Sequence, residues 1–146
     1  MKDSFGSAYM IYVFIFFVII FITFISLILK YAQAFKVKDQ IISIIEEYEG
    51  YTNSYEAINY IEEYIENNTS YRPEDLSAST LSKRVGDKCS STYKFCVGEH
   101  SDNSGRKYYT VYTFVTWNFP FLKLNGTWEI QGETRPVVSN VVSDYK

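Results

Sequence analysis

The sequence predicts an α+β chain. A long N-terminal helix, transmembrane in its first part and amphipathic in its second, packs on a C-terminal antiparallel β-sheet. Three observations carry this reading. From Ser4 to Leu29 there is no charged side chain. Neither Pro nor Gly interrupts the chain between Gly6 and Gly50, although the apolar pattern turns from continuous to one-sided along the way. From Tyr93 onward the pattern acquires a period of two.

Residues 1–30 are read as a leader and transmembrane helix. The run from Tyr9 to Leu29 holds 21 residues, broken only by Thr23 and Ser26. At the standard helical rise it spans roughly 31 Å, matching the hydrocarbon core of a bilayer. A secretory h-region needs only about 7–15 apolar residues. Tyr9, Tyr12 and Tyr31 fall near the ends of the run, where amphipathic rings favour the headgroup zone. Ala32-Gln33-Ala34 has the A-x-A pattern of a signal-peptidase site. The length of the run, and an n-region in which Asp3 offsets Lys2, favour a retained anchor instead.

The helix is expected to continue past the membrane. Ala34, Val37, Ile41, Ile44 and Tyr48 recur at steps of 3, 4, 3 and 4, which aligns them as one packing seam. Ile42 and Ile45 widen that seam, while Lys36, Lys38, Asp39, Glu46, Glu47 and Glu49 are expected mostly to face water. Gly50 suits the C′ position. A single helix from about Ser7 to Glu49 is roughly 65 Å long.

Residues 31–146 are read as one domain lying outside the cytoplasm, with a spine at 31–50, a helical segment at 52–84 and a sheet at 89–146. Thr52–Asn68 forms a second helix, capped by Thr52 or Ser54, with Ile58, Ile61 and Ile65 as its stripe. Glu62, Glu63 and Glu66 read as its solvated face rather than as an acid–base pair. Pro73 suits the first turn of a short third helix, with Leu76 and Leu81 inward. YKFCVGEH, RKYYTVYTFVTWNF and TWEIQGETRPVV are rich in strand-forming residues, and the SDNSG between the first two is a hairpin turn. The middle strand sets Tyr109, Val111, Thr113, Val115 and Trp117 on one face. Tyr108, Thr110, Tyr112, Phe114 and Thr116 share the other. The NGT at Asn125–Thr127 is expected to turn the chain into the last strand. This predicts three or four antiparallel strands, one face of which buries the helix seam.

Composition narrows the function. A net charge of −3 argues against a nucleic-acid partner. Asn67, Asn68 and Asn125 begin glycosylation sequons. Cys89 and Cys96, with six residues between them, suit a disulfide in an oxidising compartment, with free thiols as the alternative. A structural metal would require more ligands than the single His100 supplies, and no residue orients a Cys96–His100 nucleophilic pair. No constellation of His, Ser or carboxylates has usable geometry, so no catalytic residue, cofactor or small-molecule substrate is expected.

A lipid-spanning N-terminal helix that continues as an amphipathic spine under an antiparallel sheet resembles the type IV pilin superfamily. The local sequence is most similar to the pseudopilins and minor pilins of the tight-adherence (Tad) pilus. The matching residues are Gly6, Ser7 and Ala8 followed by Tyr9, Met10 and Ile11, and the motif-level likeness covers about the first 50 residues. Over the rest the likeness is architectural, apart from the closing GETRPV. It implies leader processing between Gly6 and Ser7, and other pilin-like subunits as partners through the N-terminal helix. It also implies a structural role in a surface filament or its assembly machinery. Such proteins usually carry Glu where this chain has Ile11, a departure more typical of minor than of major subunits. Lys30, Lys36 and Lys38 after the run, against Lys2 before it, favour a cytoplasmic domain by charge alone. The cysteine pair and the pilin-like layout favour the opposite side. The alternative function is a single-pass binding or sensor module that does not polymerise.

Overall fold

The computed structural model describes residues 2–48, 55–73, 76, 88–119 and 123–137. Its first element, α1 (Lys2–Glu47), is one unbroken helix of 46 residues. It begins ahead of the expected Ser7, because nothing before that residue forbids helix and an internal Gly6 costs only about 1 kcal/mol. At the other end the Tyr48 amide donates to the Ile44 carbonyl at 3.0 Å in a closing turn. Glu49, Gly50 and the proposed caps Thr52 and Ser54 lie outside the described residues.

α2 (Tyr55–Asn68) places Glu56 in its first turn, where the helix dipole favours an acid. Ala57, Ile61 and Ile65, one helical turn apart, are fully buried. Ile58, expected in that stripe, sits at its edge and is only partly buried. No helix passes through Pro73 or Leu76. Leu76 is buried against the sheet instead, and Leu81 lies outside the described residues.

The sheet is an antiparallel meander, β1 (Lys88–Ser90), β2 (Phe95–Ser101), β3 (Lys107–Phe119) and β4 (Leu124–Glu133), in sequential order. β1 went unforeseen because three residues are too few to show a period. Tyr93 and Lys94 belong to a turn rather than to the first strand: the Lys94 amide bonds the Ser90 carbonyl at 2.9 Å, and Lys94 has a left-handed φ of 56°. The SDNSG turn closes through Asp102 and Arg106, with Gly105 at φ 75° supplying the left-handed residue. NGT is not a turn. Asn125 pairs with Asn118 and Gly126 with Trp117 inside the β3–β4 ladder. Of the closing GETRPV, only Val137 makes a further bridge, to Lys107, since Pro136 has no amide to donate.

The alternation of β3 sorts the interior. Tyr109, Val111 and Val115 face α1 and α2 and join Ala34, Val37, Ile41, Ile44, Ile45, Ile61 and Ile65 in the main core. Phe114 points to the opposite face, where it meets Cys96 and Leu76. The architecture is a long helix whose C-terminal part lies along a four-stranded antiparallel sheet.

Candidate functional surface

α1 divides into two regions of different fate. Between Tyr9 and Leu29 the large apolar side chains stand in the open; Tyr9, Phe14 and Phe21 are each 69–70% exposed. Among the described residues, Leu27 alone of this run is packed against the domain core. Among the described residues this is one helix long and apolar enough to cross a membrane. Its backbone bonds are satisfied within the helix, and Thr23 Oγ1 donates to the Ile19 carbonyl at 2.8 Å, so its hydroxyl needs no outside partner.

From Ala34 onward α1 belongs to the domain. Ala34, Val37 and Ile41 are entirely buried and Ile44 almost so. Thr113 Oγ1 donates to the Ala34 carbonyl at 3.1 Å, fixing the point where the helix meets β3. Tyr48, the last residue assigned to the seam, is a correction. It lies past the end of α1, is 37% exposed and tilts against Tyr60 on α2. Ile45 fills the core there instead. Lys38 is also a correction, since it is buried rather than solvated. Its stem lies against β4 at Gly132, where an added Cβ would come within 2.7 Å of Ile42 Cδ1 and 2.9 Å of Lys38 Cδ. The Lys38 ammonium escapes the core to Asp39, 3.0 Å away, and to the Phe35 ring face at 3.8 Å.

Gly6 and Ser7 lie within the first turns of α1, and no other part of the chain approaches Gly6. Ile11, where pilins usually carry Glu, is 57% exposed. Cys89 and Cys96 are directly opposite on β1 and β2 and form a disulfide, with Cα atoms 4.0 Å apart. Cys96 is therefore no nucleophile, and His100 stacks on its cross-strand neighbour Tyr108 at 5.2 Å. Among the described residues no cluster of His, Cys, Asp and Glu has the size and spacing to hold a metal. Glu66 accepts a hydrogen bond from the Tyr93 hydroxyl at 3.1 Å. That bond, with the nearby charges, raises the Tyr93 pKa and ties α2 to the β1–β2 turn.

Two features escaped the sequence reading. The Tyr71 hydroxyl donates to the Lys94 carbonyl and accepts from the Phe114 amide, both at 2.9 Å. The β2–β3 ladder stops at Phe95–Thr113, so this phenol fills the next rung of the ladder. Burial pushes its pKa well above the usual tyrosine range, and the Phe114 amide opposes that only in part. The second feature is an aromatic cluster at the β3–β4 end. Trp117 lies over Gly126, where any Cβ would collide with the indole, and it packs on Phe119 at 5.1 Å and Trp128 at 5.9 Å. Trp117 Nε1 is buried without a partner among the described residues. Counting registers outward from the β3–β4 connection would have paired Trp117 with Gly126.

Comparison with protein-family models, with curated proteins and with solved structures finds no match for this chain.

Proposed function

We propose that this chain is a non-catalytic, pilin-like structural subunit, anchored in a membrane by α1 with its domain outside the cytoplasm. In this reading the Tyr9–Leu29 part of α1 is stored in the bilayer. It then packs against the same helix of other subunits in a surface filament or in the machinery that assembles one. The observation that carries the proposal is the continuity of α1: one 46-residue rod is both the spine of the folded domain and an apolar helix whose large side chains between Tyr9 and Ile25 stand exposed among the described residues. A flexible tether would serve an ordinary anchor equally well. A rigid continuation transmits the packing of the apolar part to the position of the domain. The Cys89–Cys96 bond supports an oxidising, extracytoplasmic location.

A second reading, a single-pass anchored module that does not polymerise, draws on Ile11. Without a carboxylate there, the apolar part of α1 offers a neighbouring subunit no charge partner. Mass spectrometry of the mature chain together with shearing of surface filaments separates the two. The subunit reading predicts a chain beginning at Ser7 and present in sheared filaments. An intact Met1 in filaments removes the processing step. A monomer confined to the membrane fraction overturns the subunit reading.

A further inference from the structure

We infer that the β3–β4 end of the sheet is seated in the interfacial zone of the bilayer, with Trp117, Phe119 and Trp128 as a second membrane anchor beside α1. The inference rests on the membrane-anchored reading of α1 and deepens it.

The level of this tip follows from three contacts along α1. The Arg135 amide beyond β4 donates to Glu46 Oε1 at 2.8 Å near the helix C-terminus. Thr113 meets Ala34 further down. Trp117, Asn118 and Phe119 then line one depression together with Thr23, Ser26, Leu27 and Lys30. β3 thus descends alongside α1, and its end reaches the last turns of the apolar run. Thr23 lies six residues before Leu29, or about 9 Å at the helical rise. An interfacial layer on each side of the hydrocarbon core is about 5–8 Å deep. A helix embedded up to Leu29 therefore brings the tip down to headgroup level or below it.

The side chains at this tip suit that depth. Trp117, Phe119, Leu124 and Trp128 share the helix-facing side of the sheet by their register, yet Leu124 is 52% and Trp128 48% exposed. Trp128 packs on Trp117, which with Phe119 borders the apolar part of α1. Indole rings favour the boundary between acyl chains and headgroups, and here it is the exposed Trp128 ring that can meet both, since Trp117 Nε1 is buried within the tip. Lys30 and Lys123 are exposed at the same end and complement lipid phosphates. Among the described residues no carboxylate lines the depression to repel them. The occupant is therefore a lipid surface, and contact with a second copy is an outcome that the test below separates.

Trp117 and Trp128 are the only two tryptophans in the chain, so fluorescence excited beyond the tyrosine absorption band reads this patch alone. The test uses the full chain in phosphatidylcholine vesicles whose acyl chains carry bromine either near the headgroup or near the bilayer centre. The native protein and W117F, which leaves the exposed Trp128 as sole indole, are each expected to lose more of their indole emission to shallow bromine than to deep bromine. A third protein, W117F/W128F/F17W, moves the indole to the middle of the apolar run and is expected to show the reverse order. If the Phe17→Trp probe is quenched by deep bromine while Trp128 ignores bromine and is quenched freely by aqueous acrylamide, the tip stands clear of the membrane. The inference then falls while the anchor remains. If the Phe17→Trp probe is also untouched by bromine, α1 is not embedded and both readings fall. Protection of Trp128 that rises with protein concentration and ignores bromine assigns the patch to contacts between copies, and overturns the inference as well.

Discussion

The two parts of α1 share one backbone, one hydrogen-bond ladder and a high apolar content, yet they meet opposite surroundings. From Ala34 to Ile45 the apolar residues Ala34, Val37, Ile41, Ile44 and Ile45 form one buried stripe, while Phe35, Lys36 and Asp39 lie off it and are exposed. From Tyr9 to Leu29 apolar residues occupy every side, and nearly all are exposed. What separates the two fates is therefore the angular distribution of apolar residues rather than their number. A one-sided stripe can be satisfied by a single sheet. A helix apolar all round, and exposed among the described residues, calls for surroundings that are apolar all round.

The sharpest way to break this comparison is a matched pair of truncations. Ile41→Ala is expected to destabilise the domain by about 2–5 kcal/mol, because it empties a fully buried site. Phe17→Ala, at 65% exposure, should leave the melting transition of the detergent-solubilised chain in place. Equal losses from both, read by thermal denaturation followed by circular dichroism, would erase the distinction between the two regions. The reciprocal test uses charge. Phe17→Asp should weaken membrane insertion by about 2.5–3.5 kcal/mol, measured as the membrane-integrated fraction, with domain melting unchanged.

Perturbing the sheet sharpens the comparison from the other side. Removal of the Cys89–Cys96 bond by paired Ser substitution should cost the domain about 2–3 kcal/mol, since it closes an eight-residue loop in the unfolded chain. Membrane insertion should stay intact, and a fall in insertion would show that the apolar part of α1 depends on the domain after all. Tyr71→Phe is expected to cost about 1–2 kcal/mol by orphaning the Phe114 amide and the Lys94 carbonyl. The same residue sets a pH limit. Its folded pKa lies above the ordinary value of 10.0, so its contribution is whole below that pH and declines as pH rises beyond it. A stability profile in alkaline buffer should show this slope in the native chain and a shallower one in Tyr71→Phe, where the raised Tyr93 still titrates.

Much of this was legible along the chain because the signals are local. The unbroken helix needed only the absence of Pro and Gly, and the strand faces of β3 followed from alternation. The hairpin at SDNSG followed from its Gly. The missed parts have non-local causes. β1 is held by its partner strand and by a disulfide, not by its own three residues. NGT looked like a turn, but Gly126 serves to accommodate the Trp117 ring across the ladder. Tyr71 gave no sign of its role, since the rung that it fills exists only where β2 stops short of β3.

By itself, then, the sequence determined the long rod, the place near Lys30–Ala34 where its surface changes character, and the antiparallel sheet beyond it. Charge, helical period and backbone permissiveness are properties of neighbours in the chain. Only the tertiary structure decided which residues share a depth or a rung. Lys38 is buried because Gly132 leaves space for its stem. Tyr48 is exposed because α1 ends before the seam does. The aromatic tip comes level with Thr23–Lys30 because β3 runs antiparallel to α1. These outcomes depend on register and on the close approach of segments far apart in sequence, for which no short stretch carries a signal.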